Sequence, residues 1–191
     1  MTSESYALER IAPEAELLDG LIVRAQGGEE AAFEEILHGF EGRALAMARQ
    51  LGASPADAED IVQEAFIKLF RHIDAYRGRR SFTAYFYRIV INASRDHFSR
   101  RDPRTHAAPE LSPEARRPGA GAATPEAERR ELVREALMQL SEREREVIIL
   151  REIHGLTTWE VARALRLNPI TVRRHAMRAR ARLKDLLGFS S

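Results

Sequence analysis

Arginine is concentrated near the C-terminus in a pattern that suits contact with DNA. Every charged side chain from Arg163 to Lys184 is basic, and Arg173, Arg174 and Arg178 share the polar side of one amphipathic segment. A guanidinium group can bond both acceptors of a guanine edge, or it can hold a backbone phosphate. We therefore predict that these three arginines contact DNA. Three neighbours are compatible either with DNA contact or with a solvated helix face: His175, Arg180 and Arg182.

The segment that carries these arginines is predicted to be the second helix of a helix-turn-helix. Thr157 and Glu160 form a capping box that starts a first short helix, and Asn168 followed by Pro169 starts another after a three-residue turn. In this motif the second helix enters the major groove with its N-terminal residues against base edges. Trp159, in the first helix, is predicted to pack in the core.

A second basic segment, residues 76–101, is unusually aromatic. Proteins that hold single-stranded nucleic acid combine stacking rings with cations that follow the backbone. The spacing of Phe82 and Phe86 is typical of a helix core, whereas Tyr85 and Tyr87 lie off that stripe and are predicted at the surface. The candidate residues for contact with an unpaired strand are Arg77, Arg79, Arg80, Tyr85, Arg88, Arg95 and Asn92, of which Asn92 can equally brace a loop.

The stretch DAEDIVQEAF, which starts at Asp57, is acidic on one side and apolar on the other. Its polar side carries Asp57, Asp60, Gln63 and Glu64. A solvated face is the ordinary interpretation of such carboxylates. Carboxylates this close to the basic aromatic segment would repel phosphate, so a protein partner with basic residues is the alternative that we favour, and complementary charge would speed and orient its docking.

The elements that hold these residues are predicted to be helical throughout. Apolar residues recur at three-four spacing, and no convincing pair of strands is present. Ser54 and Pro55 start the acidic helix, and its apolar stripe is predicted to include Phe70. We predict an all-α protein with two small domains. Their predicted bounds are 1–101 and 125–191, joined by a flexible linker over 102–124 that is rich in proline, alanine and glycine.

Composition excludes several classes of site. The 191-residue chain has a formal net charge of +1 and no cysteine, which excludes disulfides and thiolate metal sites and fits a reducing cytoplasm. No apolar run is long enough to span a bilayer, so we predict a cytoplasmic protein without membrane insertion. The histidines are scattered, and no two of them pair at helical spacing beside carboxylates. We therefore predict no metal, no cofactor and no enzymatic activity.

The two motif blocks resemble those of a known family. The block from Asp57 to Arg101 looks like region 2 of the extracytoplasmic-function (ECF) sigma factors of bacterial RNA polymerase, and the block from Leu140 to Leu183 is similar to their region 4. The stretch from Leu21 to Leu37 resembles the usual start of the family. The resemblance covers nearly all of the chain outside the first fifteen or so residues and the linker.

The resemblance implies a role for each block. The acidic helix would dock on the clamp coiled coil of the polymerase β′ subunit through Asp57, Asp60, Gln63 and Glu64. The segment from Tyr76 to Arg101 would capture and melt the −10 promoter element. The helix-turn-helix would sit on the β flap and bind the −35 element, and an anti-sigma factor would mask both domains. The residues that it places against −35 DNA are Thr171, Arg173, Arg174, His175, Met177 and Arg178.

Some residues depart from the family pattern, and two other classes of protein stay open. Tyr85 stands where the family usually has tryptophan, Arg166 where the turn often has glycine, and Asn168-Pro169-Ile170 replaces a common proline-x-glycine pattern. Arg79 and Arg80 add charge to a loop that is often neutral or acidic. The main alternative is a stand-alone helix-turn-helix regulator that binds duplex DNA. A nuclease is a third class, and the absence of a metal-ligand cluster in the sequence argues against it.

Overall fold

A computed structural model describes residues 17–78, 81–101 and 124–188, and the regular elements in these ranges are helices without any strand. This confirms the all-α prediction. None of the described helices is both long and apolar enough to cross a lipid bilayer. The helices are α1 (17–26), α2 (Glu30–Gln50), α3 (Pro55–His72), α4 (Phe82–Arg101), α5 (Pro125–Met138), α6 (Glu142–Ile148), α7 (Thr158–Leu165) and α8 (Pro169–Leu186), with a 3₁₀ turn at Ile73–Ala75 and a π turn at Ile149–Ile153.

Helices α1–α4 form the N-terminal half, and its core is built around aromatic rings. Phe40 of α2 packs edge-on against Phe86 of α4 with ring centroids 5.1 Å apart, and Phe66 of α3 stacks on Phe86 at 5.5 Å. Phe82 is 3% exposed and Phe86 is fully buried, which confirms their predicted place in the core. These rings hold α3 and α4 side by side, so the acidic helix and the basic aromatic helix share one surface.

The predicted start of α3 is confirmed. The Ser54 hydroxyl accepts a hydrogen bond from the backbone N–H of Asp57 at 3.1 Å, and Pro55 is the first helical residue. The apolar stripe that runs from Ala58 to Leu69 is buried. Phe70 lies at the edge of this stripe and is 65% exposed, so its predicted place in the core is wrong. Its ring packs edge-on against that of Phe33, with the ring centroids 5.2 Å apart.

Helices α5–α8 form the C-terminal half, in which α7 and α8 make the predicted helix-turn-helix. The backbone N–H of Thr157 donates to Glu160 Oε2 at 2.8 Å, and the Asn168 side chain accepts from the backbone N–H of Ile170 at 2.8 Å. Between the two helices, Arg166 has φ 55° and ψ 45°, the left-handed conformation that costs an L residue about 1 kcal/mol. The turn therefore forms with arginine where glycine would be less strained.

Two aromatic side chains differ from their predicted environment in opposite directions. Trp159 is 65% exposed, because the first turn of α7 directs it outwards rather than into the core. Tyr87 is 2% exposed, and its ring lies 4.5 Å from that of His154 in the C-terminal half. The prediction that Tyr87 lies at the surface is wrong because the other half of the chain covers this side of α4.

Candidate nucleic-acid and protein interfaces

The four predicted docking residues on α3 have different surroundings. Asp57 is tied to α4, since His97 Nε2 lies 3.0 Å from its Oδ1 and Arg101 pairs with the same oxygen. Burial acts to raise the pKa of Asp57, but the Ser54 and His97 hydrogen bonds and the charge of Arg101 hold that pKa below its usual value. Glu64 is bonded to Lys68 and Arg100. Both carboxylates therefore help to attach α3 to α4.

Asp60 and Gln63 face outwards. Both are exposed, and Asp60 takes part in no ion pair with any residue in the described ranges. One to three turns further along the same face lie Ile67, which is 45% exposed, and Phe70. The outer face of α3 thus combines a carboxylate, an amide and two apolar side chains, a composition that suits a protein partner better than a phosphate backbone.

A cavity of about 990 Å³ lies between α3 and α4 and collects most of the residues predicted to contact an unpaired strand. We call it the basic groove. Arg79 and Arg80 lie outside the described residues. The lining residues are Lys68, His72, Ala75, Tyr76, Arg77, Tyr85, Arg88, Ile89, Asn92 and Arg166.

Tyr85 is held in a defined position within the basic groove. Its hydroxyl donates to the backbone carbonyl of His72 at 3.1 Å, its ring lies 5.4 Å from that of Tyr76, and the Arg88 guanidinium sits 5.2 Å from its centroid. Burial raises the pKa of Tyr85, although the charge of Arg88 acts against this. A flat ring beside fixed cations can stack an unpaired base while the guanidinium groups hold its phosphates.

Arg95, one turn beyond Asn92 on α4, is not in the cavity lining. Its Nε donates to Glu146 Oε1 at 2.7 Å and to Glu142 Oε1 at 3.1 Å, and both carboxylates belong to α6. The sequence predicts that Arg95 contacts an unpaired strand. In the structure its guanidinium group instead forms ion pairs with acidic side chains of the C-terminal half.

Helix α8 presents a basic face opposite its buried seam. Val172, Ala176 and Ala179 are buried. The exposed residues of the first turns include Ile170, Arg173, Arg174, Met177 and Arg178, and these three arginines form no ion pair with any described residue. Their guanidinium groups can therefore reach a DNA groove without first breaking a salt bridge.

The remaining candidates on α8 are either paired with acidic side chains or half-buried. Arg180 Nη2 lies 2.6 Å from Glu152 Oε1, and Arg182 Nη1 lies 3.6 Å from Glu144 Oε2. His175 and Thr171 are half-buried, and burial lowers the pKa of His175. The sequence leaves open DNA contact or a solvated helix face for Arg180 and Arg182, and it does not predict these ion pairs within the C-terminal half.

The chain matches two sigma factor families along most of its length. Residues 38–104 match Sigma-70 region 2, and residues 130–183 match Sigma-70, region 4. The ECF RNA polymerase sigma-E factor of Escherichia coli K12 is 30% identical over 170 residues, with 84% of this chain and 88% of the relative covered. The chain belongs to the ECF sigma factors. The RNA polymerase sigma-H factor of Pseudomonas aeruginosa is 29% identical over 184 residues, with 87% and 92% covered.

Solved structures of sigma factors have a similar fold. CnrH in complex with the cytosolic domain of CnrY is 30% identical, with 90% of this chain and 97% of that one covered and a TM-score of 0.67. RpoE of Bartonella quintana in complex with the anti-sigma factor NepR shares the fold at a TM-score of 0.65 and 23% identity, with 83% and 98% covered.

As an ECF sigma factor, the protein binds core RNA polymerase and directs initiation at promoters through their −10 and −35 elements. Sigma factors are initiation factors without catalytic activity of their own. The region 2 match covers the half that a stand-alone helix-turn-helix regulator would use for sensing or dimerisation, so that alternative is not favoured. Within the described ranges, no cluster of three or more histidine or acidic side chains could hold a metal ion.

Several groove and surface residues of this sigma factor are not identified from the sequence. Lys68 and His72 are one turn apart on α3 and face α4. Their helical spacing could have indicated that both side chains line the same groove. Ile67 and Phe70 continue the face of Asp60 at helical spacing. Arg166 belongs to the C-terminal half, and no local pattern in the sequence could have indicated its place beside Tyr85 and Arg88.

The junction of the two halves, where His154 packs on Tyr87, gives a pH prediction. Burial, with the charge of Arg43 acting in the same direction, lowers the pKa of His154 from 6.5 to about 4. The unfolded chain takes up this proton near pH 6.5, whereas the folded chain does so only near pH 4. Stability that is fully present above pH 6.5 is therefore lost progressively as the pH falls towards 4.

Phenylalanine at position 154 keeps a ring against Tyr87 and removes the titrating group. We expect the free energy of unfolding of His154→Phe to fall less than that of the wild type between pH 6.5 and 4. Urea denaturation at a series of pH values measures both slopes. Other acidic and basic groups are common to the two proteins and cancel in the difference, so equal slopes would contradict the assignment.

Proposed function

We propose that three separate surfaces of this sigma factor carry its contacts. The outer face of α3, with Asp60 and Gln63 at its centre and Asp57 and Glu64 behind them, docks on the clamp coiled coil of the β′ subunit. The basic groove captures the unpaired −10 strand. The exposed face of α8 reads the −35 element as duplex.

One observation carries the proposal: α3 and α4 are packed side by side, with opposite charge on their accessible faces. Asp60 is exposed and lies outside the cation-lined cavity formed by Tyr85, Arg88 and Asn92. The N-terminal half can therefore bind polymerase through α3 and DNA through α4 at the same time. A factor that brings polymerase to an unpaired strand needs both contacts.

Further parts of the proposal concern the organisation and setting of the protein. The domains span 1–101 and 125–191, and the predicted linker between them lies outside the described residues except for Thr124. The protein acts in the cytoplasm and catalyses no reaction. The β flap is its second contact on the polymerase. An anti-sigma factor holds the protein inactive. Complexes with CnrY and NepR in similar structures support the last point.

The decisive experiment is run-off transcription with purified core polymerase on a library of random promoter sequences. We expect transcripts that depend on the added chain and whose templates share two spaced elements. A chain that never co-purifies with core polymerase, or that starts no transcript when bound, would exclude the proposed function.

Arg174→Ala is expected to weaken binding to the selected −35 duplex by about 1–3 kcal/mol, because a bidentate bond to guanine contributes that much discrimination. Fluorescence anisotropy with matched and scrambled duplexes measures the effect. Arg180→Ala is the control, since Arg180 already pairs with Glu152 and should matter little. An equal loss on every sequence would instead assign Arg174 to a phosphate.

Tyr85→Ala is expected to reduce binding of the selected −10 single strand by about 1–3 kcal/mol, the usual contribution of one base-stacking ring. Tyr85→Phe is the matched control. It keeps the ring and loses only the hydroxyl that donates to the His72 carbonyl. Tyr85→Trp should bind at least as well as the wild type. If alanine and phenylalanine were equally weak, the hydroxyl rather than the ring would be responsible.

A further inference from the structure

The first turn of α8 carries an exposed aliphatic side chain on the basic face of the helix. Ile170 is 71% exposed, a larger fraction than that of any other large apolar side chain in the described ranges. Val172, Ala176 and Ala179 form the buried seam, and helical spacing places Ile170 on the opposite side of α8. A single exposed apolar side chain is ordinary, so the neighbours of Ile170 decide what it can contact.

The neighbours of Ile170 are cations and one further apolar side chain. Arg173, Arg174 and Met177 follow it by three, four and seven positions and are exposed on adjoining parts of the same face. Every charged side chain from Arg163 to Lys184 is basic, so this face attracts an anionic partner and repels a basic one. Duplex DNA has the required charge, and its major groove also presents an apolar group, the C5-methyl of thymine.

Ile170 is held in a defined position at the start of the helix. The Asn168 side chain accepts a hydrogen bond from the Ile170 backbone N–H at 2.8 Å, and Pro169 is the first helical residue. Branching at Cβ restricts the rotation of the isoleucine side chain, so it projects in nearly one direction. In a helix-turn-helix the N-terminal residues of the second helix lie against base edges. A rigid aliphatic group in this place can cover a methyl group that projects into the major groove.

We propose that Ile170 is a specificity-determining residue that contacts the C5-methyl group of one pyrimidine in the −35 element. Burial of that methyl group favours thymine over cytosine at this position, while the neighbouring arginines hold guanine edges and phosphates. The base 5-methylcytosine carries the same group at the same ring position and should replace thymine in this contact. This chain has Ile170 where the common family pattern has glycine, so the contact is specific to this chain. The inference rests on the proposed binding of the −35 duplex by α8, and it adds an apolar contact to those of the arginines.

The test measures promoter binding by the full chain assembled with core polymerase. The probes are duplexes that carry the selected −35 element with each thymine of either strand replaced in turn by deoxyuridine, which removes only the methyl group. We expect binding to fall about fourfold at the position that Ile170 covers, since one buried methyl group contributes about 0.8 kcal/mol. At that position, cytosine paired with guanine should bind about fourfold more weakly than 5-methylcytosine paired with guanine.

Three variants assign the methyl contact to a side chain. In Ile170→Ala, the thymine and deoxyuridine probes should bind equally at that position, and the fold should not change because Ile170 is exposed. Ile170→Val keeps the branch at Cβ and should retain most of the discrimination. Leu186→Ala is the matched control, since it shortens an exposed aliphatic side chain in the last turn of α8 and should behave like the wild type.

Equal binding of thymine and deoxyuridine at every position would overturn the inference, and so would a selected element without thymine. A difference that persists in Ile170→Ala would assign the methyl contact to another side chain, and a loss in Ile170→Ala that is equal on all probes would leave Ile170 with a structural role only. Both results would also exclude the inference. Failure of the proposed function gives a different result, because no −35 element would then be selected and Arg174→Ala would bind every duplex as well as the wild type.

Discussion

Asp60→Arg is expected to abolish binding to core RNA polymerase while leaving the fold intact. Asp60 is exposed, takes part in no ion pair with a described residue, and lies on the face of α3 that continues through Gln63 and Ile67. Placing like charges opposite each other at an interface costs several kcal/mol, which corresponds to a loss of about 100-fold or more in affinity.

The single substitution is more informative than one that also changes Glu64. Glu64 pairs with Lys68 and Arg100, so Glu64→Arg would repel two cations of its own half and weaken the attachment of α3 to α4. The double variant Asp60→Arg, Glu64→Arg should also fail to bind polymerase, but its loss would mix docking with stability. Glu41→Arg is the control, an equal charge reversal at another exposed helical position.

Affinity for core polymerase is measured by titrating labelled polymerase with each variant, and circular dichroism checks the fold. Asp60→Arg should fail where Glu41→Arg binds like the wild type. Unchanged affinity of Asp60→Arg would refute docking through this face of α3. Equal losses in both variants would mean that overall charge, rather than a defined contact, drives the association.

Local sequence signals account for the elements and most of the surfaces. Caps and helix starts at Ser54, Thr157 and Asn168 depend on side chains within three positions, and the structure has them as predicted. The exposed arginines of α8 also follow from helical spacing, because small apolar residues mark the opposite face. These features can be predicted from the sequence because each depends on residues nearby along the chain.

Two of the errors occur where a residue meets a distant part of the chain, whereas Phe70 and Trp159 are predicted to lie in the core and are exposed. Tyr87 lies off the core stripe of α4, yet His154 covers it from the C-terminal half. Arg95 has the spacing of a strand-binding arginine, but its partners are Glu142 and Glu146. Periodicity shows which face of a helix is apolar. It does not show which other element covers a second face.

Arg145 is the clearest case of a side chain whose role depends on distant contacts, and its loss should have a large effect on stability. It is 2% exposed. Its guanidinium donates to the carbonyls of Leu137, Met138 and Leu140 at 3.0–3.2 Å. Leu137 and Met138 belong to the last turn of α5 and Leu140 lies just beyond it, so the positive charge also meets the negative end of the helix dipole. The Leu137 carbonyl additionally accepts the backbone N–H of Leu140 at 3.1 Å.

Arg145→Met keeps the length of the side chain and removes its donors. Burial lowers the pKa of Arg145, although Glu142 and Glu146 act against this, so the carbonyls must compensate for a charge held away from water. Leaving several buried acceptors unpaired should lower the free energy of unfolding by about 3–4 kcal/mol. Urea denaturation followed by circular dichroism at neutral pH measures the loss.

Two further variants separate the donors from the charge. Arg145→Lys retains the charge but cannot reach carbonyls on several sides at once, so we expect an intermediate loss. Arg143→Met removes the neighbouring arginine, which is partly exposed and pairs with Glu146, and should cost about 1 kcal/mol or less. If Arg145→Met were no worse than Arg143→Met, water rather than the guanidinium would satisfy the end of α5. If lysine fully replaced arginine, charge alone would suffice and the forked geometry of the guanidinium would be irrelevant.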